Sequence, residues 1–375
     1  MIGKKIAIIG GGLSGLYAAY LLEQQGIKDY VLFEVKEVLG GRISGFSLDN
    51  DINNFDLGPT WFWPDIQHQL HNLINQLSLD CFFQYEKGAM MVERHSLEEP
   101  IRMNGFSSSL PSMRIKGGMT SLIESIRSKL TPENIHTNKL VKTVQHKAQR
   151  TEICFSDTKN GSQHTIDVET ILLAIPPRLA ISTIKFIPSL PYQLTKSWVN
   201  TPTWMAGNAK YIAIYDYPFW RENGLSGDAR SARGPMVEIH DASMPDGKYA
   251  LFGFLGISGS ARLSIEDESL KAYCRSQLVR LFGQEAAKPI AEALKDWAKD
   301  PYTSTELDLE DMEHHQAPQI NAKESVWASK LMGIASEWSP QFPGYVAGAI
   351  EASTVGVSKA IELIRQRRTT DEINV

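Results

Sequence analysis

Cysteine is scarce in this 375-residue chain, charge is nearly balanced, and long apolar runs are missing. The three cysteines, Cys81, Cys154 and Cys274, are far apart, odd in number and form no C-x-x-C pair. That excludes a disulfide framework and makes a reducing cytoplasm the expected compartment. A net charge of −5 offers nothing to attract nucleic acid. No stretch reaches the ~18 uncharged apolar residues of a membrane span, and the segment after Ile364 is too polar for an anchor. Internal repeats and low-complexity tracts are also absent. What remains is ordinary globular composition, 42% apolar and 22% charged, at a length that suits two or three domains.

The N-terminal run could pass for a secretory leader, but its glycines and Glu23 suit a strand–turn–helix better, and no small-x-small cleavage site follows. Ile6-Ala7-Ile8-Ile9 runs into Gly10-Gly11-Gly12-Leu13-Ser14-Gly15, and an apolar helical pattern follows from Leu16 to Leu22. Gly10, Gly12 and Gly15 fit G-x-G-x-x-G. The first allows a tight turn, the second lets backbone approach a pyrophosphate, and the third lets the helix pack close to its strand. The helix start offers free N–H groups to phosphate. A second strand, Tyr30 to Phe33, ends at Glu34, about 20 residues on, where a carboxylate holds a ribose hydroxyl. A dinucleotide site follows from these residues. Alone, the loop serves an NAD enzyme as well as an FAD enzyme.

Further along, Gln67 to Leu79 reads as an amphipathic helix with Leu70, Leu73, Ile74 and Leu77 inward. Short β-like pieces follow from Cys81 to Leu110, then a helix from Lys116 to Leu130. Strands are expected over Ile135 to Phe155 and Gln163 to Ile175, with a hairpin turn at Asn160-Gly161. A β-rich block follows: Asn208 to Tyr215, Pro235 to Ile239, and Lys248 to Leu255 after the turn Pro245-Asp246-Gly247. A helix over Glu268 to Phe282 presents Leu270, Tyr273, Leu278 and Leu281. Lys330 to Ile334 reads as a strand and Tyr345 to Ile364 as a last helix. The pattern is α/β, a Rossmann-like domain interrupted by an inserted β-rich α+β domain.

Residues beyond Glu34 narrow the choice. Gly40-Gly41-Arg42, Asp56-Leu57-Gly58-Pro59-Thr60-Trp61, Gly117-Gly118-Met119 and Ala174-Ile175-Pro176-Pro177 occur in that order. Lys210 to Trp220, Trp297 to Tyr302, Ala335-Ser336-Glu337 and Gly344 to Ile350 come after them. This ordered set resembles the flavin-containing amine oxidases, the family of monoamine and polyamine oxidases. The chain looks like a short form, because the stretch from Trp61 to Met113 lacks most of the helical substrate-domain insertion of larger members.

The resemblance implies an FAD-binding domain over 1–64, 112–185 and 300–375, and a reduced substrate domain over 65–111 and 186–299. Gly10, Gly12, Leu13, Ser14 and Gly15 would meet the pyrophosphate, Glu34 the adenosine ribose, and Val141 the adenine through its main chain. Gly41 and Arg42 would balance phosphate charge. Gly58, Pro59, Thr60 and Trp61 would run past the isoalloxazine. Trp297, Tyr302, Ser336, Glu337, Gly344, Tyr345 and Val346 complete the implied FAD contacts, with Glu337 near the ribityl–pyrophosphate region. Lys210 would reach flavin N5 through a water, and Tyr345 would be one wall of an aromatic cage for the amine. Glu306 and Leu307 hold the positions of the flavin-linked cysteine and the second cage tyrosine, so the FAD is expected to be non-covalent. Trp338, Trp61 and Trp204 are the possible replacement walls.

The implied reaction passes a hydride from the α-carbon of a small-molecule amine to N5. The imine is then hydrolysed, and O2 as acceptor gives H2O2. Rival readings are an L-amino-acid oxidase using Arg94, Arg102 or Arg230, a desaturase on the same scaffold, and a flavin-binding protein with little turnover. No nucleic-acid or membrane partner is expected, and the oligomeric state is open. Asp65, His68 and His71, and separately Glu313-His314-His315, lack a full ligand set, so no metal is expected. Lys116 to Met119 lacks G-K-[ST] and is no phosphate loop.

Overall fold

The computed structural model describes residues 4–48, 55–94, 98–105, 109–148, 150–245, 247–309, 316–322 and 325–373. The chain divides into two compact units. The first comprises Met1–Arg42, Ile123–Trp204 and Met312–Val375, and the second Ile43–Leu122 and Met205–Asp311.

The first unit is built on an eight-stranded sheet. Strand Lys4–Ile9 lies between Tyr30–Phe33 and the C-terminal half of Gln163–Leu173, all parallel, and Leu331–Gly333 adds a further parallel strand. These central strands read as unbroken apolar runs because both faces are covered. Tyr30 to Phe33 is buried at every position. The antiparallel ribbon Lys139–Lys147, Arg150–Asp157 and Gln163–Leu173 extends the sheet. Its second turn carries Gly161 at φ 75°, which bears out the Asn160-Gly161 signal. Helix Leu13–Gln24 follows the glycine loop, and the last helix, Val346–Ile373, packs on it, with Ser353 Oγ donating to Ser14 O at 2.8 Å.

A seven-stranded sheet forms the second unit, in the order Ala291–Asp296, Ala209–Tyr215, Tyr249–Leu255, Met236–Asp241, Leu225–Ser231, Ala89–Glu93, Ile101–Met103. Tyr211, Ala213 and Tyr215 pack on one face with Leu270, Cys274, Leu278 and Leu281 of helix Asp267–Phe282. Tyr273, expected on that inner face, is 61% exposed, and Cys274 takes its place. Ile212, Ile214 and Phe252 pack on the opposite face with Phe55, Leu57 and Trp61.

The packing boundaries differ from the expected domain limits. Residues 43–64, 112–122 and 300–311 belong to the second unit, and 186–204 to the first. The physical reason is local. Phe55–Asp56 pairs with Gly45–Phe46, and the loop after it closes on the strand of Lys210.

Candidate active site

The first unit carries a nucleotide cradle. Gly10 has φ 110°, and a Cβ there would lie 2.7 Å from Ala174 O. At Gly15 a Cβ would be 1.9 Å from Gly10 O. Both glycines are needed by the protein's own backbone. Gly12 is different. Its φ of −73° suits any residue, and a Cβ would meet nothing nearer than Gly40 O and the Gly41 Cα at 3.7 Å. The protein's own atoms leave room for a side chain there, and a glycine keeps that room open, as a pyrophosphate-binding loop requires.

Glu34 closes this cradle. Its Oε2 accepts from Gly11 N at 2.7 Å and its Oε1 from Lys36 N at 2.9 Å. The residue is 7% exposed. Burial raises its pKa, against the pull of the Lys36 and Gly11 amides and the Lys36 charge. Each carboxylate oxygen keeps a lone pair for a hydroxyl donor, so the group suits a ribose diol. Lys139 N donates to Glu34 O at 2.8 Å, which anchors the start of the strand holding Val141. Val141 is buried, and its strand pairs with Lys185–Ile187 only from Thr143 onward. The residues present therefore fit the nucleotide half of a flavin.

Arg42 and Glu337, both expected at the cofactor, bind each other. Arg42 Nη1 donates to Glu337 Oε1 at 2.6 Å, and Nη2 donates to Oε2 at 3.0 Å and to Ser336 Oγ at 3.1 Å. The Glu337 side chain is fully buried while that of Arg42 is 25% exposed. The buried carboxylate thus holds the guanidinium, which keeps the exposed part of the pair. Tyr345 stands just before the last helix beside Trp204, with ring centroids 6.3 Å apart and planes at 33°. Gly344, at φ 84°, makes room for that indole, because a Cβ would lie 2.3 Å from Trp204 Cβ. Trp338, a candidate cage wall by sequence, is core instead. It is 1% exposed, donates to Gln319 O and packs edge-on to Trp198.

The second unit carries the lysine. Strand Ala209–Tyr215 is buried at every position. Lys210 Nζ donates to Gly58 O at 3.1 Å and to Thr60 Oγ1 at 2.5 Å. It lies over Phe252, 4.0 Å from the ring centroid, and 5.7 Å from that of Phe254. Burial pushes the ammonium down to about 7, opposed by the Asp56 charge and reinforced by that of Arg114. The Asp56 carboxyl moves up to about 6, again through burial. Its Oδ1 accepts from Met119 N at 2.7 Å, while the buried Oδ2 has no hydrogen-bond partner. A solvated strand lysine has none of these features. Pro59 lies between the two residues that accept from Lys210, and Trp61 Nε1 donates to Gln84 Oε1. Trp297 is buried and donates to Leu57 O at 3.1 Å, which braces the same loop. Tyr302 is 39% exposed and Leu307 56%.

The expected residues thus form two groups, one on each unit. Sequence reading missed Asp56, Arg114 and Phe252 as partners of Lys210. Strand alternation around Lys210 and Phe252 is the signal that pairs the last of these. Asp56 and Arg114 lie far apart in the chain and are joined only by folding. Arg102 donates to Gly224 O and Arg230 pairs with Glu238, so both are committed within the protein. Among the described residues, no group of three or more His, Cys, Asp or Glu side chains is placed to hold a metal ion. Glu313, His314 and His315 lie outside the described residues. No described helix is long and apolar enough to cross a membrane.

Comparison with known proteins identifies the family. A family model described as flavin containing amine oxidoreductase matches residues 78–354, and one described as an NAD(P)-binding Rossmann-like domain matches residues 8–77. The probable flavin-containing monoamine oxidase A of Dictyostelium discoideum is 24% identical over 95% of this chain and 97% of that protein. Flavin-containing amine oxidase B of Cavia porcellus is 26% identical, over 60% of this chain and only 43% of its own length. The solved cyclohexylamine oxidase from Brevibacterium oxydans superposes with a TM-score of 0.78 at 16% identity, covering 96% of this chain and 99% of that one, which shows the shared fold. The Rossmann-like cradle, the ordered motifs and a family match over most of the length lead to one assignment: this chain belongs to the flavin-containing amine oxidoreductases and is a flavin-dependent oxidoreductase.

Proposed function

We propose that this chain binds FAD non-covalently and oxidises a small-molecule amine, with O2 as acceptor. The observation that carries the reading is Lys210, an ammonium buried to 2% exposure and fixed by Gly58 O and Thr60 Oγ1. A bound flavin would accept two electrons from the amine α-carbon and pass them to O2, leaving an imine for hydrolysis and yielding H2O2. The protein's part is placement and charge. Glu34 holds the adenosine ribose, and the Gly12 backbone and helix start hold the pyrophosphate. Arg42, oriented by Glu337, supplies positive charge to the same part of the cofactor. Lys210 keeps two N–H groups on Gly58 and Thr60 and would offer the third to the flavin N5 region through a water. Tyr345 and Trp204 present the aromatic surface that steers the amine. A peroxide assay with primary, secondary and amino-acid amines tests the reading. Peroxide is expected with at least one simple amine, and its absence with all of them counts against oxidase function.

Two expectations concern the cofactor. Glu306 stands where a linking cysteine would be, so acid or heat should release the flavin and leave colourless protein. Flavin that co-migrates with the denatured chain contradicts this. Glu34→Ala removes a charge-assisted hydrogen bond and should weaken FAD binding by ~1.5–3 kcal/mol. Titration of the apoprotein with FAD measures it, and an unchanged Kd would remove Glu34 from the site.

A further inference from the structure

Side chains directly across from one another in a sheet share a face. Register places Lys210 opposite Phe254, Phe254 opposite Glu238, and Glu238 opposite Arg230. The next row runs Ile212, Phe252, His240. Two phenylalanines thus separate Lys210 from an ionic cluster on the same face. Within it, His240 Nδ1 lies 2.8 Å from Asp228 Oδ1 and Nε2 lies 2.7 Å from Glu238 Oε1. Arg230 pairs with Glu238. The His240 side chain is 15% exposed.

With a carboxylate on each nitrogen, the ring needs both its protons. A neutral imidazole would turn a lone pair toward one carboxylate. Trp61 stands nearly perpendicular to this ring, with centroids 4.9 Å apart and planes at 85°, and also touches Phe252 at 5.4 Å. Trp61 follows Thr60, the residue whose hydroxyl accepts from Lys210.

We propose that His240, clamped between Asp228 and Glu238, is a positioning residue that fixes the Trp61 indole and, through it, the Gly58–Trp61 loop that closes on Lys210. Its catalytic consequence rests on the proposed amine oxidation, but the positioning itself is read without turnover.

Burial pulls the imidazolium down, yet the hydrogen bonds and charges of Asp228 and Glu238 outweigh it, and the net direction is up. A folded value above the unfolded one means that the clamp is intact at lower pH and is lost as pH rises through the folded value. The charged groups around the ring are Asp228 from the adjoining strand and Glu238 from its own. Arg230 acts through Glu238, and Lys210 lies across Phe252. The contacting faces of Trp61 and Phe252 carry no charge.

Near-ultraviolet circular dichroism of the flavin-loaded protein, taken as wild type minus Trp61→Phe, isolates the Trp61 signal. Followed from about pH 6 to about pH 10, it should show a single-proton transition of His240 above the ordinary histidine value of about 6.5, beside any change that Lys210 brings near 7. His240→Gln and His240→Arg, the latter a cation at every pH in this range, should keep the Lys210 change and lose the His240 transition. In flavin reduction by an amine at neutral pH, His240→Gln should cost about fivefold or more alone and less than about twofold in the Trp61→Phe background, the non-additivity expected of residues that act as a unit. A wild type without a transition beyond those it shares with His240→Gln and His240→Arg overturns the proposal. Failure of every amine to reduce the flavin would instead remove the functional reading and leave the dichroism result standing.

Discussion

Lys210→Met should slow reoxidation of the reduced flavin by O2 more than tenfold, roughly 1.4 kcal/mol of barrier or more. Methionine keeps the length and apolar bulk of the side chain and removes the charge together with its hydrogen bonds to Gly58 O and Thr60 Oγ1. A fixed cation in a dry site stabilises the negative charge that develops as O2 takes up electrons, and it costs no reorganisation at that moment. Anaerobic reduction by the amine should change much less, and stopped-flow timing separates the two half-reactions. The pH dependence has a definite sign. Burial brings the ammonium down to about 7, so the cation is present below that pH and lost above it. Wild-type reoxidation should fall as pH rises through about 7, while the Lys210→Met rate should be flat there. A variant that reoxidises at the wild-type rate would make Lys210 a packing residue.

Gly12→Val should abolish FAD binding, and Gly12→Ala, whose Cβ meets no protein atom nearer than 3.7 Å, should weaken it with the fold intact. Its backbone angle tolerates a side chain, and no protein atom blocks the Cβ. The side chain would instead fill the space through which the loop meets a pyrophosphate. Gly15→Ala is the contrasting control. There the new Cβ would collide with Gly10 O at 1.9 Å, so the turn itself must open. Loss of thermal stability is expected for Gly15→Ala whether or not FAD is added, whereas Gly12→Ala should match the melting temperature of wild-type apoprotein and gain less from FAD than wild type does. Normal flavin content in purified Gly12→Val would refute the cradle assignment.

Features carried by contiguous residues were readable in the sequence. The strand over Tyr30 to Phe33, the glycine turn and Glu34 follow from local pattern, and the structure places them as expected. Features made by distant residues were not. Strand Leu225–Ser231, with sequence LSGDARS, has no apolar alternation and is defined by its neighbours. Apolar periodicity put Tyr273 inside, but a tyrosine at the margin of the inner face can turn outward, and Cys274 packs there instead. Trp338 was an equal candidate with Trp61 and Trp204 because sequence does not tell a core indole from a surface one. Only the structure shows Trp204 beside Tyr345 and Trp338 among core residues. Arg42 and Glu337 were both expected at the cofactor; that they bind each other depends on residues from opposite ends of the chain.

The purified yellow protein should be titrated anaerobically with amines. At least one simple amine should bleach the flavin absorbance in a one-to-one titration, and admitting O2 should restore the colour with one H2O2 formed per flavin. Flavin that dithionite bleaches but no primary, secondary or amino-acid amine reduces would contradict the proposed amine oxidation.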